Sequence, residues 1–134
     1  MRLLSSTDFA MRLLMLLAGR GTAAPLSVEA LSQELGGLSR HHLHKIVQDL
    51  AALGLLRTVR GAGGGVSLAK KPEEIRVGSL IRQLEGDQPM AECFRPDSGS
   101  CTLLSVCRLR GFLGEAREEF YRSLDSRTIA DCLG

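Results

Sequence analysis

Between Ser27 and Leu68 the chain is punctuated by glycine at a spacing that leaves little choice of architecture. Ser27 stands before Val28, Leu31 and Leu35, which lie three and four residues apart on one helical face, and Gly36 and Gly37 end the run. Ser39 opens a second amphipathic run with Leu43, Ile46, Val47, Leu50 and Leu53 as its stripe and Gly54 as its stop. Two short helices joined by a glycine-containing turn predict a helix-turn-helix. Directly after them, LLRTVRGAGGGVSL (residues 55–68) sets β-branched and apolar residues on either side of Gly61 to Gly65, which predicts two short strands and a glycine tip. A hairpin in that position is a wing, so the expected fold is mainly α, built on a winged helix-turn-helix.

Such a unit meets DNA through the polar side of its second helix, and here that side is unusually rich in donors. Ser39, Arg40, His41, His42, His44 and Lys45 gather at the helix start, and all three histidines of the chain are among them. A polar helix face on its own is a solvated face; placed after a helix-turn-helix spacing, it reads as the base- and phosphate-contacting surface. In the wing, Arg57 and Arg60 lie below a tip whose Gly64 and Gly65 carry no side-chain bulk, a combination suited to a minor groove. Lys70 and Lys71 add cations for phosphates. The glycine run lacks the Lys-Ser/Thr ending of a phosphate loop, which argues against a nucleotide site. Charge agrees with this polarity: residues 1–82 hold eleven Lys or Arg against six Asp or Glu (+5), and residues 83–134 hold six against nine (−3).

The remaining elements are read from helical spacing. Residues 7–18 form a first helix that is apolar around much of its circumference and needs burial on several sides. Asp8 and Arg12 interrupt its apolar run, so it is not a signal peptide, and no stretch is long enough to span a bilayer; a cytoplasmic protein is expected. Val77 to Leu84 form another helix, and residues 105–124 a long one with Leu109, Phe112, Leu113, Ala116, Phe120 and Leu124 in a stripe. That stripe calls for a partner, most economically a second copy of itself. The last residues, Thr128 to Leu133, make a short helix capped by Thr128. The organisation expected is therefore a DNA-binding region over 1–86, a loop over 87–104, and a dimerisation helix with its tail over 105–134.

Three of the four cysteines fall in CFRPDSGSCTLLSVC, residues 93–107. Seven residues separate Cys93 from Cys101 and five separate Cys101 from Cys107, neither being the two-residue gap of a zinc knuckle. Spacing alone leaves open a metal or cluster site, buried small hydrophobes, or a disulfide; a reducing compartment favours the first. Cys107 is expected in the first turn of the long helix, where free N–H groups favour a thiolate that binds iron. Cys132, among Ile129, Ala130 and Leu133, reads as a buried structural thiol. No spaced carboxylate pair or nucleophile–base arrangement suggests an enzyme.

SSTDFAMRLL at the start, SRHHLHKIVQDLAALGLLRTVRGAGGGVSLAK, EEIRVGSLIRQLE, ECF with the later cysteines, CRLR and SLDSRTIAD together carry a resemblance over almost the whole chain. It resembles the winged-helix, cluster-binding repressor family of IscR and RirA, most closely that family's nitric-oxide-sensing members. The resemblance implies a homodimer crossing through the long helix, double-stranded operator DNA as partner, and nitric oxide as signal. It also implies an iron–sulfur cluster, 4Fe–4S in preference to 2Fe–2S, held by Cys93, Cys101 and Cys107, with Asp8 supplied by the other subunit. A regulator of the same fold that senses iron, redox state or cluster supply is the alternative it implies.

Overall fold

A computed structural model of the chain describes residues 2–21, 24–86, 88–97 and 99–134. Its elements run α1 (Ser5–Gly19), α2 (Val28–Glu34), α3 (Arg40–Ala52), β1 (Leu56–Val59), β2 (Gly65–Leu68), α4 (Val77–Glu85) and α5 (Leu109–Asp125). Short 3-10 turns occupy Pro72–Glu74, Glu92–Phe94 and Ala130–Cys132.

The helix-turn-helix forms where the serines and glycines direct it. Ser27 Oγ accepts the Ala30 amide at 3.1 Å and Ser39 Oγ accepts the His42 amide at 3.3 Å, each satisfying a helix-start N–H that has no partner within the helix. Gly36 and Gly37 turn the chain between α2 and α3 with φ of 78° and 80°, a conformation L side chains avoid. In the wing, β1 and β2 pair antiparallel, with Leu56 opposite Leu68 and Val59 opposite Gly65. Leu26 adds a bridge to Val66 through two backbone hydrogen bonds of 3.0 and 2.8 Å.

One core joins these parts. Ala10, Leu13, Leu14 and Leu17 of α1 are buried together with Leu31, with Leu43, Ile46, Val47 and Leu50 of α3, and with Val66 of β2. Contacts of α1 with α3, β2, α4 and the C-terminal turn account for its apolar circumference. Beyond the wing, α4 packs along α5 at close range. A Cβ on Gly78 would lie 2.1 Å from the Tyr121 carbonyl oxygen, so only glycine permits that approach. Asp125, at the end of α5, accepts the Ser79 amide at 2.5 Å and the Ser79 hydroxyl at 2.8 Å, capping the start of α4 from a neighbouring element. The chain then returns: the Val77 amide donates to Arg127 O and the Ile129 amide to Ile75 O, both at 2.9 Å, and Ile129 is fully buried. Among the described residues no helix is long and apolar enough to cross a membrane.

Three expectations need correcting. The long helix begins at Leu109 rather than Ser105, because the Val106 and Cys107 amides are committed to Leu103 O, closing a turn that does not continue as helix. Cys107 therefore precedes the helix instead of lying in its first turn. Within α5 the buried residue is Tyr121, outside the expected stripe. Cys132 is exposed, because Ile129 takes the inward position of the terminal turn; the Cys132 thiol donates outward to Thr128 O at 3.4 Å.

Candidate functional site

Two regions carry the candidate residues, and local bonding shapes each. On α3, burial of Leu43, Ile46, Val47 and Leu50 forces Arg40, His41, His42, His44 and Lys45 outward, and Ser39 is exposed at the cap. Arg40 forms an ion pair with Glu29 of α2, and Lys45 Nζ lies 3.1 Å from Asp49 Oδ1 one turn further on. The Ser39 hydroxyl also bonds His42 Nδ1 at 2.9 Å, which fixes that ring beside the cap. His41 stands next to it, ring centroids 6.1 Å apart, and His44 is exposed on the following turn. Such exposed ion pairs are weak, on the order of 0 to 1 kcal/mol, so phosphate can compete for these cations.

In the wing, Arg60 is exposed where β1 ends, and Arg57 is exposed with Nη2 3.5 Å from Leu68 O. Gly64 and Gly65 serve the hairpin itself. A Cβ on Gly64 would meet Val59 O at 2.2 Å and one on Gly65 would meet Leu26 O at 2.3 Å, so the tip closes only without side chains. Lys70 and Lys71 are exposed at the wing's base, lining a groove of about 530 Å³ with Arg57. A second groove, of about 350 Å³, joins Ser5, Ser6 and Phe9 of α1 to His41, His42 and Lys45 of α3, so the start of α1 borders the exposed face of α3.

The cysteine loop connects α4 to α5. Cys93, Cys101 and Cys107 are free and half-buried. Glu92 organises the first part: its Oε1 accepts the Ser100 amide at 3.4 Å, closing the loop between the residues that precede Cys93 and Cys101. Asp97 Oδ1 accepts the Gly99 amide at 3.0 Å, and Gly99 turns with φ of 59° against the Glu92 side chain. Arg95 Nε lies 3.8 Å from Glu92 and 3.5 Å from Asp97, offsetting both carboxylates. The loop leans on α5 through Phe94, whose ring has Arg110 and Arg117 within 6 Å. Glu92 and Phe94 were not singled out by spacing, though they flank Cys93 in the triplet ECF.

Asp8, half-buried in the first turn of α1, faces Arg12: Nη2 to Oδ2 is 2.7 Å and Nε donates to Oδ1 at 3.1 Å. Among the described residues of one chain, no three His, Cys, Asp or Glu side chains are gathered to hold a metal ion. The donor chemistry nevertheless fits an iron–sulfur group: three free, half-buried thiols within residues 93–107 supply soft ligands.

A family model described as an iron-dependent transcriptional regulator, Rrf2, matches residues 3–134. The chain belongs to the Rrf2 family. Within it, the chain is 40% identical over 133 residues to the HTH-type transcriptional regulator NsrR of Geobacillus kaustophilus, covering 99% of this chain and 90% of that protein. Among solved structures it resembles T. potens IscR, with a TM-score of 0.75, 26% identity and coverage of 98% and 85%. It also resembles CymR, the global cysteine regulator of B. subtilis, with a TM-score of 0.74, 28% identity and coverage of 98% and 95%. Like its Rrf2 relatives, the chain is a winged-helix transcriptional regulator and not an enzyme.

Proposed function

We propose that this Rrf2 regulator is a repressor that binds double-stranded operator DNA as a homodimer, depends on an iron–sulfur cluster, and answers to nitric oxide. The observation that carries the reading is the set of three free, half-buried thiols, Cys93, Cys101 and Cys107, on the segment that joins α4 to α5 in a chain built on a winged helix-turn-helix. Cys93, Cys101 and Cys107 would hold the cluster, of the 4Fe–4S type, with Asp8 of a second copy as an oxygen ligand. When bound, the group supplies iron that reacts with nitric oxide, and an oxygen donor among thiolates leaves one iron less firmly held than a fourth cysteine would.

The chain's own residues divide the remaining work. On this reading His41, His44 and Lys45 would enter the major groove and Arg60 the minor groove, while Arg40 and Arg57 would supply cations for phosphates. Glu92 keeps Cys93 and Cys101 on one loop. Asp8 sits on the helix whose first residues border His41 and Lys45, so a ligand bond at Asp8 acts on the helix beside the DNA surface. The sequence resemblance to nitric-oxide-sensing members, joined by 40% identity to an HTH-type transcriptional regulator NsrR, supports nitric oxide over iron or cluster supply as the signal.

The test is anaerobic purification, iron and sulfide analysis, and operator binding before and after nitric oxide. Cluster-dependent binding that nitric oxide abolishes is expected. Tight operator binding by iron-free protein, unchanged by nitric oxide, would refute the proposal.

A further inference from the structure

Phe94 follows Cys93 and ends the 3-10 turn Glu92–Phe94. Its half-buried ring centroid lies 5.7 Å from the guanidinium carbon of Arg110 and 5.1 Å from that of Arg117. Those arginines are seven residues apart, about two turns of α5, so they project from one side of the helix and reach the same ring. An aromatic face within about 6 Å of a guanidinium is held by its quadrupole as well as by apolar contact. The ring does not move alone. The Phe94 amide donates to Ala91 O at 2.9 Å, the Arg95 amide to Glu92 O at 3.2 Å, and Glu92 closes onto Ser100, so whatever seats Phe94 seats the loop from Glu92 to Ser100. Arg110 is also three residues past Cys107. A contact from Phe94 to Arg110 therefore ties the segment carrying the first cysteine to the segment carrying the third.

We infer that Phe94, clamped between Arg110 and Arg117, is a positioning residue that fixes the Cys93 turn against α5 before iron is bound. The inference rests on the three cysteines being the ligand set. It fixes the segment carrying Cys93 in the iron-free protein, and it makes α5 the rigid element against which that segment is set. An aromatic at this position that merely fills space would be replaceable by Leu; a π face held by two cations would not.

Hydrogen exchange on the full-length, iron-free protein separates these cases. In Phe94→Leu and in the double variant Arg110→Gln/Arg117→Gln, the amides of Phe94, Arg95 and Ser100 are expected to exchange about 5- to 30-fold faster, as loss of two exposed cation–π contacts implies. The core amides of Leu14 and Leu50 should be unchanged, and Phe94→Tyr, which keeps the π face, should exchange like the wild type. After anaerobic loading with ferrous iron and sulfide, the first two variants should lose the cluster to a chelator several-fold faster than wild type, and Phe94→Tyr should not. Wild-type exchange rates in both Phe94→Leu and the double variant would overturn the clamp. Failure of the wild type to take up iron would overturn the ligand reading instead, and the exchange of the iron-free proteins would still decide the clamp.

Discussion

At Gly78 a single hydrogen atom sets how closely α4 and α5 approach. A Cβ there would lie 2.1 Å from Tyr121 O and 2.7 Å from the Asp125 amide nitrogen, both backbone atoms that cannot swing aside. Replacing a helical glycine by alanine ordinarily gains up to about 1 kcal/mol of helix propensity. Here the clash outweighs that gain, and Gly78→Ala should destabilise by about 1 to 3 kcal/mol, read as a lower urea midpoint at unchanged slope. Arg60 is the converse, a side chain that makes no hydrogen bond or ion pair among the described residues. Exposed at the end of β1, it can change operator affinity without changing stability. Arg60→Ala should weaken operator binding by about 1 to 3 kcal/mol at fixed salt while leaving the urea midpoint in place. Unchanged affinity would remove the wing's arginine from the minor groove.

Elements whose ends are defined locally were legible in the sequence, and those defined by distant partners were not. Ser27, Ser39, Gly36 and Gly37 act on neighbours a few residues away, so the helix-turn-helix could be read from spacing. The wing was legible for the same reason. Burial of Tyr121 depends on α4, far back in the chain, and the capping of α4 by Asp125 joins residues 46 apart, and no local pattern announces either. In the cysteine loop, spacing found the thiols but not Glu92 or Phe94, whose partners are Ser100 and α5. The terminal turn lies between these cases. Thr128 was readable as its cap, and the structure completes the exchange: the Thr128 amide and hydroxyl donate to Asp131 Oδ2 at 2.8 and 2.9 Å. The Thr128 amide, with help from the hydroxyl, holds the Asp131 carboxyl below the usual carboxylate range. A carboxyl depressed in the folded state stabilises above its unfolded pKa, and the contribution disappears as pH falls through the folded value. An NMR titration should show Asp131 as a low-titrating aspartate with the Thr128 amide shift following it, and Asp131→Asn should abolish that pH dependence while keeping an acceptor.

For the molecule as a whole, the question is what covers the first half of α5. Its second half is seated on α4 through Tyr121, which is 6% exposed, and through the ion pair of Arg82 with Glu118 at 2.7 Å. Before that, Leu103, Val106, Leu109 and Phe112 are 59, 77, 57 and 56% exposed, a run of large apolar side chains leading out of the cysteine loop into the helix. Single exposed apolar residues are ordinary, but a contiguous set is the mark of an association surface. A second copy of the chain suits it, because an isologous contact sets this patch against itself and two winged units against two operator half-sites. The cross-subunit ligand proposed for Asp8 requires such a dimer. Phe112→Glu places a charge where the proposed interface excludes water, a change that costs several kcal/mol when the charge is left unpaired. The fold of a single chain should tolerate it, since Phe112 is more than half exposed. Sedimentation at micromolar concentration should therefore show a wild-type dimer and a folded, monomeric Phe112→Glu, with operator affinity falling steeply because each half-site must then be bound independently. A wild-type chain that sediments as a monomer would leave the apolar patch without this partner and would sever Asp8 from the cysteines, taking the cross-subunit ligand with it.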